Sequence, residues 1–189
     1  MTTSDSPESR HETLNQRQLS LLLAGLLTTA IGQSFIFAIL PPLGRDVGFN
    51  EVQINVLISS SALIFSLGSA LWGRMADRVG RKPVILAGLA GYALGNLCFT
   101  LVFDAAIRGW LAGLPLFLAA LFVRCSQAAV MSATNPGTGA YAADHSAPQK
   151  RTKTLAKLGT ANSLGMIIGP ILAGSLAGFG LLFPLYTAT

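Results

Sequence analysis

Charge is scarce in this sequence, and acid is scarcer. Only 11% of the 189 residues are charged. None of the eight Asp and Glu lies inside an apolar run: Asp46, Glu51, Asp77, Asp104 and Asp144 fall at run ends or between runs, and Asp5, Glu8 and Glu12 precede the first run. A soluble domain needs polar outer faces, which a chain 51% hydrophobic with a mean hydropathy of +0.56 does not have, so the class is a membrane protein. Cysteine is almost absent too: Cys98 and Cys125 sit inside apolar stretches, offering neither a disulfide framework nor a metal spacing. The two histidines, His11 and His145, are too far apart in environment to pair over a metal or in catalysis. No nucleophile elbow, zinc-helix motif or phosphate-binding glycine loop occurs. The chain is therefore read as no enzyme, with no cofactor and no metal. Its net charge of +5 does not imply nucleic acid, because the basic residues stand between apolar runs rather than on one soluble face.

What the sequence has in abundance is apolar runs. Five are long enough to span a bilayer, at about 19–40, 52–72, 84–103, 113–142 and 155–182, each close to or above the ~20 residues a spanning helix needs. The first is too long for the apolar core of a signal peptide and follows a polar stretch, residues 1–18, that reads as a disordered tail. FPLYTAT, Phe183 to Thr189, reads as the opening of a sixth span. Lys and Arg mark the topology. Ten of the thirteen lie in the tail (Arg10, Arg17), in 73–83 (Arg74, Arg78, Arg81, Lys82) and in the 143–154 region with its helix edge (Lys150, Arg151, Lys153, Lys157). By the positive-inside rule these segments, and with them the N-terminus, face the cytoplasm.

Polar residues within spans are the candidates for function. An ionisable group at a helix centre costs about 2.5–3.5 kcal/mol on insertion scales, so it requires a partner or a wet cavity. Arg124 is such a group, and Gln127, Met131, Asn135 and Thr138 follow it at helical spacing, giving span four a polar face. Pairing of Arg124 with carbonyls of a neighbouring helix and a role in substrate or proton handling both remain open. Thr29 and Gln33, four apart on span one, suit a cavity lining, whereas Asn96 on span three suits a packing hydrogen bond. Ala161, Gly165, Gly169, Ala173 and Ala177 recur every four residues on span five, and Ala87, Gly91 and Gly95 draw a shorter strip on span three. Small residues so spaced let two helices approach closely in lipid.

The stretch GRMADRVGRK, with Gly73, Asp77, Arg78, Gly80, Arg81 and Lys82, resembles the cytoplasmic signature loop of the major facilitator superfamily in composition, order and position. Its glycines permit close turns and close approach, and Asp77 can pair with Arg78 or Arg81. A topological charge block would explain the basic residues but neither the acid nor the glycines. A latch that forms in one conformation and opens in another explains all of them. Arg124, Gln127 and Ala128 are similar to the family's Arg-x-x-Gln-Gly motif, whose arginine is implicated in proton transfer, with Ala128 where glycine is usual. Gly165, Gly169, Pro170 and Gly174 resemble the motif of the antiporter branch, with Ala173 in place of a glycine, and the Gly-Pro pair is expected to bend or loosen the helix. Pro41 and Pro42 are similar to the proline-bearing end of the family's first span.

The resemblance, closest to the 12-span drug/proton antiporters, implies an all-α fold: the N-terminal helical bundle of the superfamily, with five complete spans over 19–182, the start of a sixth at 183–189, and a missing six-span C-terminal half. It implies a multi-pass protein of the plasma (inner) membrane that exports a drug-like or other small organic molecule, with the proton gradient as energy source. Its partners would be that small molecule, the lipid bilayer and the second half. A symporter or uniporter for sugars or organic acids stays open, since span one has no acid. So does a truncated membrane protein that does not transport.

Overall fold

The structure, a computed structural model, describes residues 16–146 and 148–177. Most of the polar tail and the opening of a sixth span lie outside them. Six helices follow one another: α1 (Gln16–Asp46), α2 (Glu51–Val79), α3 (Arg81–Ile107), α4 (Gly113–Met131), α5 (Thr134–Asp144) and α6 (Pro148–Ala177). With α4 and α5 forming one span, they make five segments of at least 27 residues that are long and apolar enough to cross a membrane. At 1.5 Å per residue, 27 residues reach about 40 Å, more than the ~30 Å of hydrocarbon. The chain is a helical multi-pass membrane protein.

The helices outrun the apolar runs that announce them. α1 continues through Pro41 and Pro42 to Asp46, ending where Gly48 takes φ +86° and Phe49 N–H donates to the Gly44 carbonyl. At the start of α2, Asn50 and Gln53 form a reciprocal capping box, each side chain accepting from the other's backbone N–H at 2.8–2.9 Å. The largest departure from expectation is at 73–83. This stretch is helix except for Gly80, so Gly73, Asp77 and Arg78 belong to α2 while Arg81 and Lys82 open α3. Charge does not break a helix at the membrane surface, because long basic side chains carry their charge into water while their stems stay in the interface. Only Gly80, with φ +104°, supplies a backbone that other residues rarely adopt.

Span four divides for a local reason. Pro136 has no N–H for the Ser132 carbonyl, and around it Ala133 N–H turns back to Val130, three residues earlier, at 3.1 Å. α6 behaves differently, running unbroken through Pro170.

Packing rests on glycine and alanine where backbones meet. α6 lies along α1: a Cβ on Gly165 would stand 2.6 Å from the Ala30 Cβ, and one on Gly169 would stand 2.6 Å from the Ile31 carbonyl oxygen. Ala173 is buried on the same strip, and Ser34 donates to the Gly165 carbonyl at 3.1 Å. α3 meets α4 and α5 through Gly88, Gly91 and Gly95, which face Thr134, Val130 and Gln127. Of the strips expected from the sequence, Gly165, Gly169 and Ala173 on α6 and Gly91 and Gly95 on α3 lie at helix contacts, with Gly88 in the place expected of Ala87. At the Phe49 end an aromatic core of Phe49, Phe99, Phe103 and Phe117 joins Ile36, Leu40, Leu43 and Leu57. Outward, α2 exposes Leu63, Leu67 and Leu71, four residues apart, as a face for lipid or another bundle.

Gly174 lies on α6 where a Cβ would meet nothing within 4 Å among the described residues, so it provides a control for Gly169. Gly169→Leu is expected to cost about 1–3 kcal/mol by forcing α6 off α1, while Gly174→Leu changes stability by no more than about 0.5 kcal/mol. Thermal unfolding of both variants in the same detergent, followed by circular dichroism, measures the difference.

Candidate functional site

Arg124 is buried in the middle of the fourth span, 3% exposed, and its surroundings are built by three helices. Its Nη1 donates to Gln127 Oε1 at 2.7 Å, the i,i+3 partner that α4 places on the same face. Gln127 in turn donates through Nε2 to Asn96 Oδ1 and, at 3.4 Å, to the Tyr92 carbonyl of α3. The guanidinium carbon stands 5.3 Å from the Phe37 ring centre and 5.9 Å from that of Phe99, within cation–π range. No acidic side chain among the described residues pairs with it. Its Nε has no hydrogen-bond partner among them either. The charge is thus held by one amide and two aromatic faces.

Beside this network lies a cavity of about 200 Å³, lined by Gln33 and Phe37 of α1, Ser61 and Phe65 of α2, and Arg124, Ala128 and Met131 of α4. Arg124, Gln127 and Gln33 are therefore brought together. Thr29 is not among them: its hydroxyl donates to the Gly25 and Leu26 carbonyls of its own helix, at 3.0 Å each. Asn135 is exposed, because the break before Pro136 re-phases the face that Arg124 begins. Thr138, further along, is buried and donates to the Thr134 carbonyl. Sequence reasoning places Asn96 in packing alone, whereas it is the third member of the Arg124 network. It also leaves Phe37 and Phe65 unmarked. The spacing of Gln33 and Phe37, four apart on one helix face, is the signal that ties Phe37 to the site.

At the Gly80 end a second polar cluster forms. Arg81 reaches both Asp77, four residues back on α2, at 2.5 Å, and Asp144 at the end of α5, at 3.1 Å. Among the described residues no such ion pair holds Arg78 or Lys82. Among the described residues nothing approaches Gly73 closely, the nearest atom, Pro136 Cβ, lying 3.9 Å from where a Cβ would be. Arg81 thus links the start of α3 to two other helices, with Asp77 and Asp144 half to mostly exposed.

On α6, Gly165 and Gly169 face α1, whereas Pro170 and Gly174 point away and are exposed. The antiporter-type residues therefore divide between a packing face and an outward face.

Known proteins match this chain along most of its length. Multidrug resistance protein 2 of Bacillus subtilis is 28% identical over 169 residues, 89% of this chain and 39% of that protein. A triacylglyceride transporter of Mycolicibacterium hassiacum is 33% identical over 162 residues, 82% of this chain and 28% of that protein. The class B tetracycline resistance protein of Escherichia coli is 32% identical over 151 residues, 78% of this chain and 34% of that protein. The chain spans less than half the length of these relatives. Residues 22–188 match the family described as Major Facilitator Superfamily, and the chain belongs to that superfamily.

Proposed function

We propose that this bundle is the N-terminal part of a secondary transporter of the plasma membrane, with its N-terminus in the cytoplasm, that exports a drug-like or other small organic molecule in exchange for protons. The observation that carries the reading is the buried Arg124, Gln127 and Asn96 network beside a cavity reached from α1, α2 and α4. A charge in the middle of a span is too costly to serve as filler. The cavity has walls on one side, and a second six-span half would close it, so that rocking of the two halves exposes it to each side in turn. Relatives whose names record multidrug and tetracycline resistance support export of small organic molecules. The absence of acid within the apolar runs favours, as a second reading, a uniporter or a symporter of the same fold.

In this reading Arg81, Asp77 and Asp144 form the cytoplasmic latch, and the glycines of α6 hold α1 as the halves move. Exposed ion pairs contribute only about 0–1 kcal/mol each, so their use lies in switching between conformations rather than in stability.

Three outcomes are expected. In inverted membrane vesicles carrying the full-length protein, collapsing the proton gradient with an uncoupler abolishes substrate uptake. Uptake indifferent to the uncoupler favours uniport and removes the antiport assignment. Arg124→Gln abolishes uptake while the variant still inserts and resists extraction by carbonate. Asp77→Asn lowers the uptake rate severalfold with a stability change below about 1 kcal/mol; unchanged uptake would remove the latch.

A further inference from the structure

Span four is held at its break by a residue of another helix. Between α4 and α5 the Ala133 N–H bonds to the Val130 carbonyl rather than to that of Ala129, so the Ala129 carbonyl loses the partner a continuous helix would give it. It accepts two side-chain donors instead: the indole Nε1–H of Trp72 on α2 at 2.6 Å and the Ser132 hydroxyl at 2.7 Å. A carbonyl left bare within a membrane span is costly, and these donors are what make the break tolerable.

α2 is shaped to reach this point. Gly68, Trp72 and Ala76 follow one another at intervals of four and share a helix face. A Cβ on Gly68 would meet the Ser132 hydroxyl and stand 3.3 Å from the Ala129 carbonyl oxygen, so the glycine clears the way one turn before the indole. Ala76 and Ala133 are buried together with Val84, and Trp72 packs against them. α3 closes the other side, where a Cβ on Gly88 would stand 2.8 Å from the Thr134 nitrogen. Ser132 and Ala133 are fully buried, so the joint is complete within α2, α3 and span four. The turn fixed in this way carries the site: Gln127 and Ala128 immediately precede Ala129, and Arg124 lies little more than a turn before it. α5 is held separately at its far end, by Arg81 on Asp144 and by Arg151, which donates to the Ala143 carbonyl at 3.0 Å. We infer that Trp72 is a positioning residue: its indole replaces the helical hydrogen bond that span four gives up at the break, and α2 thereby sets the orientation of the turn bearing Arg124 and Gln127. The inference concerns how the Arg124 segment is held and stands whether or not the transporter reading does.

The test separates the indole N–H from the bulk of the ring. In the full-length protein in lipid nanodiscs, Trp72 is replaced by benzothienylalanine, an isostere with sulfur where the indole has its N–H, and amide hydrogen–deuterium exchange is followed by mass spectrometry across span four. In the wild type the amides of residues 128–134 are expected to be as protected as those of the preceding α4 turn, despite the break; free exchange there overturns the inference with no variant made. The isostere is expected to raise exchange of these amides about tenfold or more, the margin of one buried hydrogen bond, and to leave residues 138–144 of α5 within about twofold. Unchanged exchange at 128–134 overturns the inference, and so does an equal rise in both segments, the mark of general destabilisation. Pro136→Ala supplies the rescue. It returns an N–H to the Ser132 carbonyl and lets the helix close through Ala133, so in that background the isostere is expected to change exchange by less than about twofold. A tenfold rise in both backgrounds overturns the claim that the indole stands in for the helical bond.

Discussion

A guanidinium placed at mid-membrane depth constrains everything around it. Arg124 has no acid to lean on among the described residues, so its charge is accommodated by Gln127 and by the faces of Phe37 and Phe99. Each of these partners imposes a further condition. Gln127 must be oriented, which Asn96 and the Tyr92 carbonyl do from α3. For α3 to come near enough, the position facing Gln127 must have no side chain: a Cβ on Gly95 would stand 2.6 Å from the Gln127 Cβ. Glycine at 95 is therefore a consequence of the buried charge on the neighbouring helix, and a connected chain of amides is what makes the arrangement tolerable in low dielectric.

The aromatic partners impose the same condition on α1. Phe37 can stand over Arg124, and Gln33 can line the cavity beside it, only if α1 is held in place along its length, and α6 does this through Gly165, Gly169 and the hydrogen bond from Ser34 to the Gly165 carbonyl. On the other side, the absence of a side chain at Gly32 leaves room for the Tyr92 hydroxyl, which would collide with a Cβ there. In lipid no hydrophobic drive pushes helices together, so contact area and interhelical hydrogen bonds must do it, and small residues give both. The glycine strips and the buried arginine are parts of one solution: close backbones on α1, α3 and α6 allow the long side chains of α4 to fill the centre.

Much of this is legible in the chain itself. The bilayer excludes unpaired backbone, so spanning segments must be helices of at least about 20 apolar residues, and five such runs stand out between charges. Helix ends are less legible, since Arg74, Asp77 and Arg78 extend α2 by more than a turn past its apolar run and a single glycine makes the turn. Within the site, Arg124 and Gln127 are readable as i,i+3 neighbours on one helix. Asn135 is misplaced by the same periodicity because Pro136 interrupts it, and Thr29 is satisfied within α1. Asn96, Phe37 and Phe65 belong to other helices, and the period of one helix carries no information on which residues of another it meets.

The two ends of the bundle are built from different interactions. At the Phe49 end, edge-to-face rings of Phe49 with Phe103 and Phe117 sit over a buried aliphatic core, an arrangement that gains from burial and resists opening. At the Gly80 end the helices are joined by Arg81 to Asp77 and Asp144, groups that water can satisfy equally well when the pairs part. An apolar core has one good packing, whereas an exposed ion network exchanges its protein partners for water at little cost. Parting the Arg81 pairs therefore costs this bundle less than opening the aromatic core around Phe49 and Phe103, and Arg124 lies between the two.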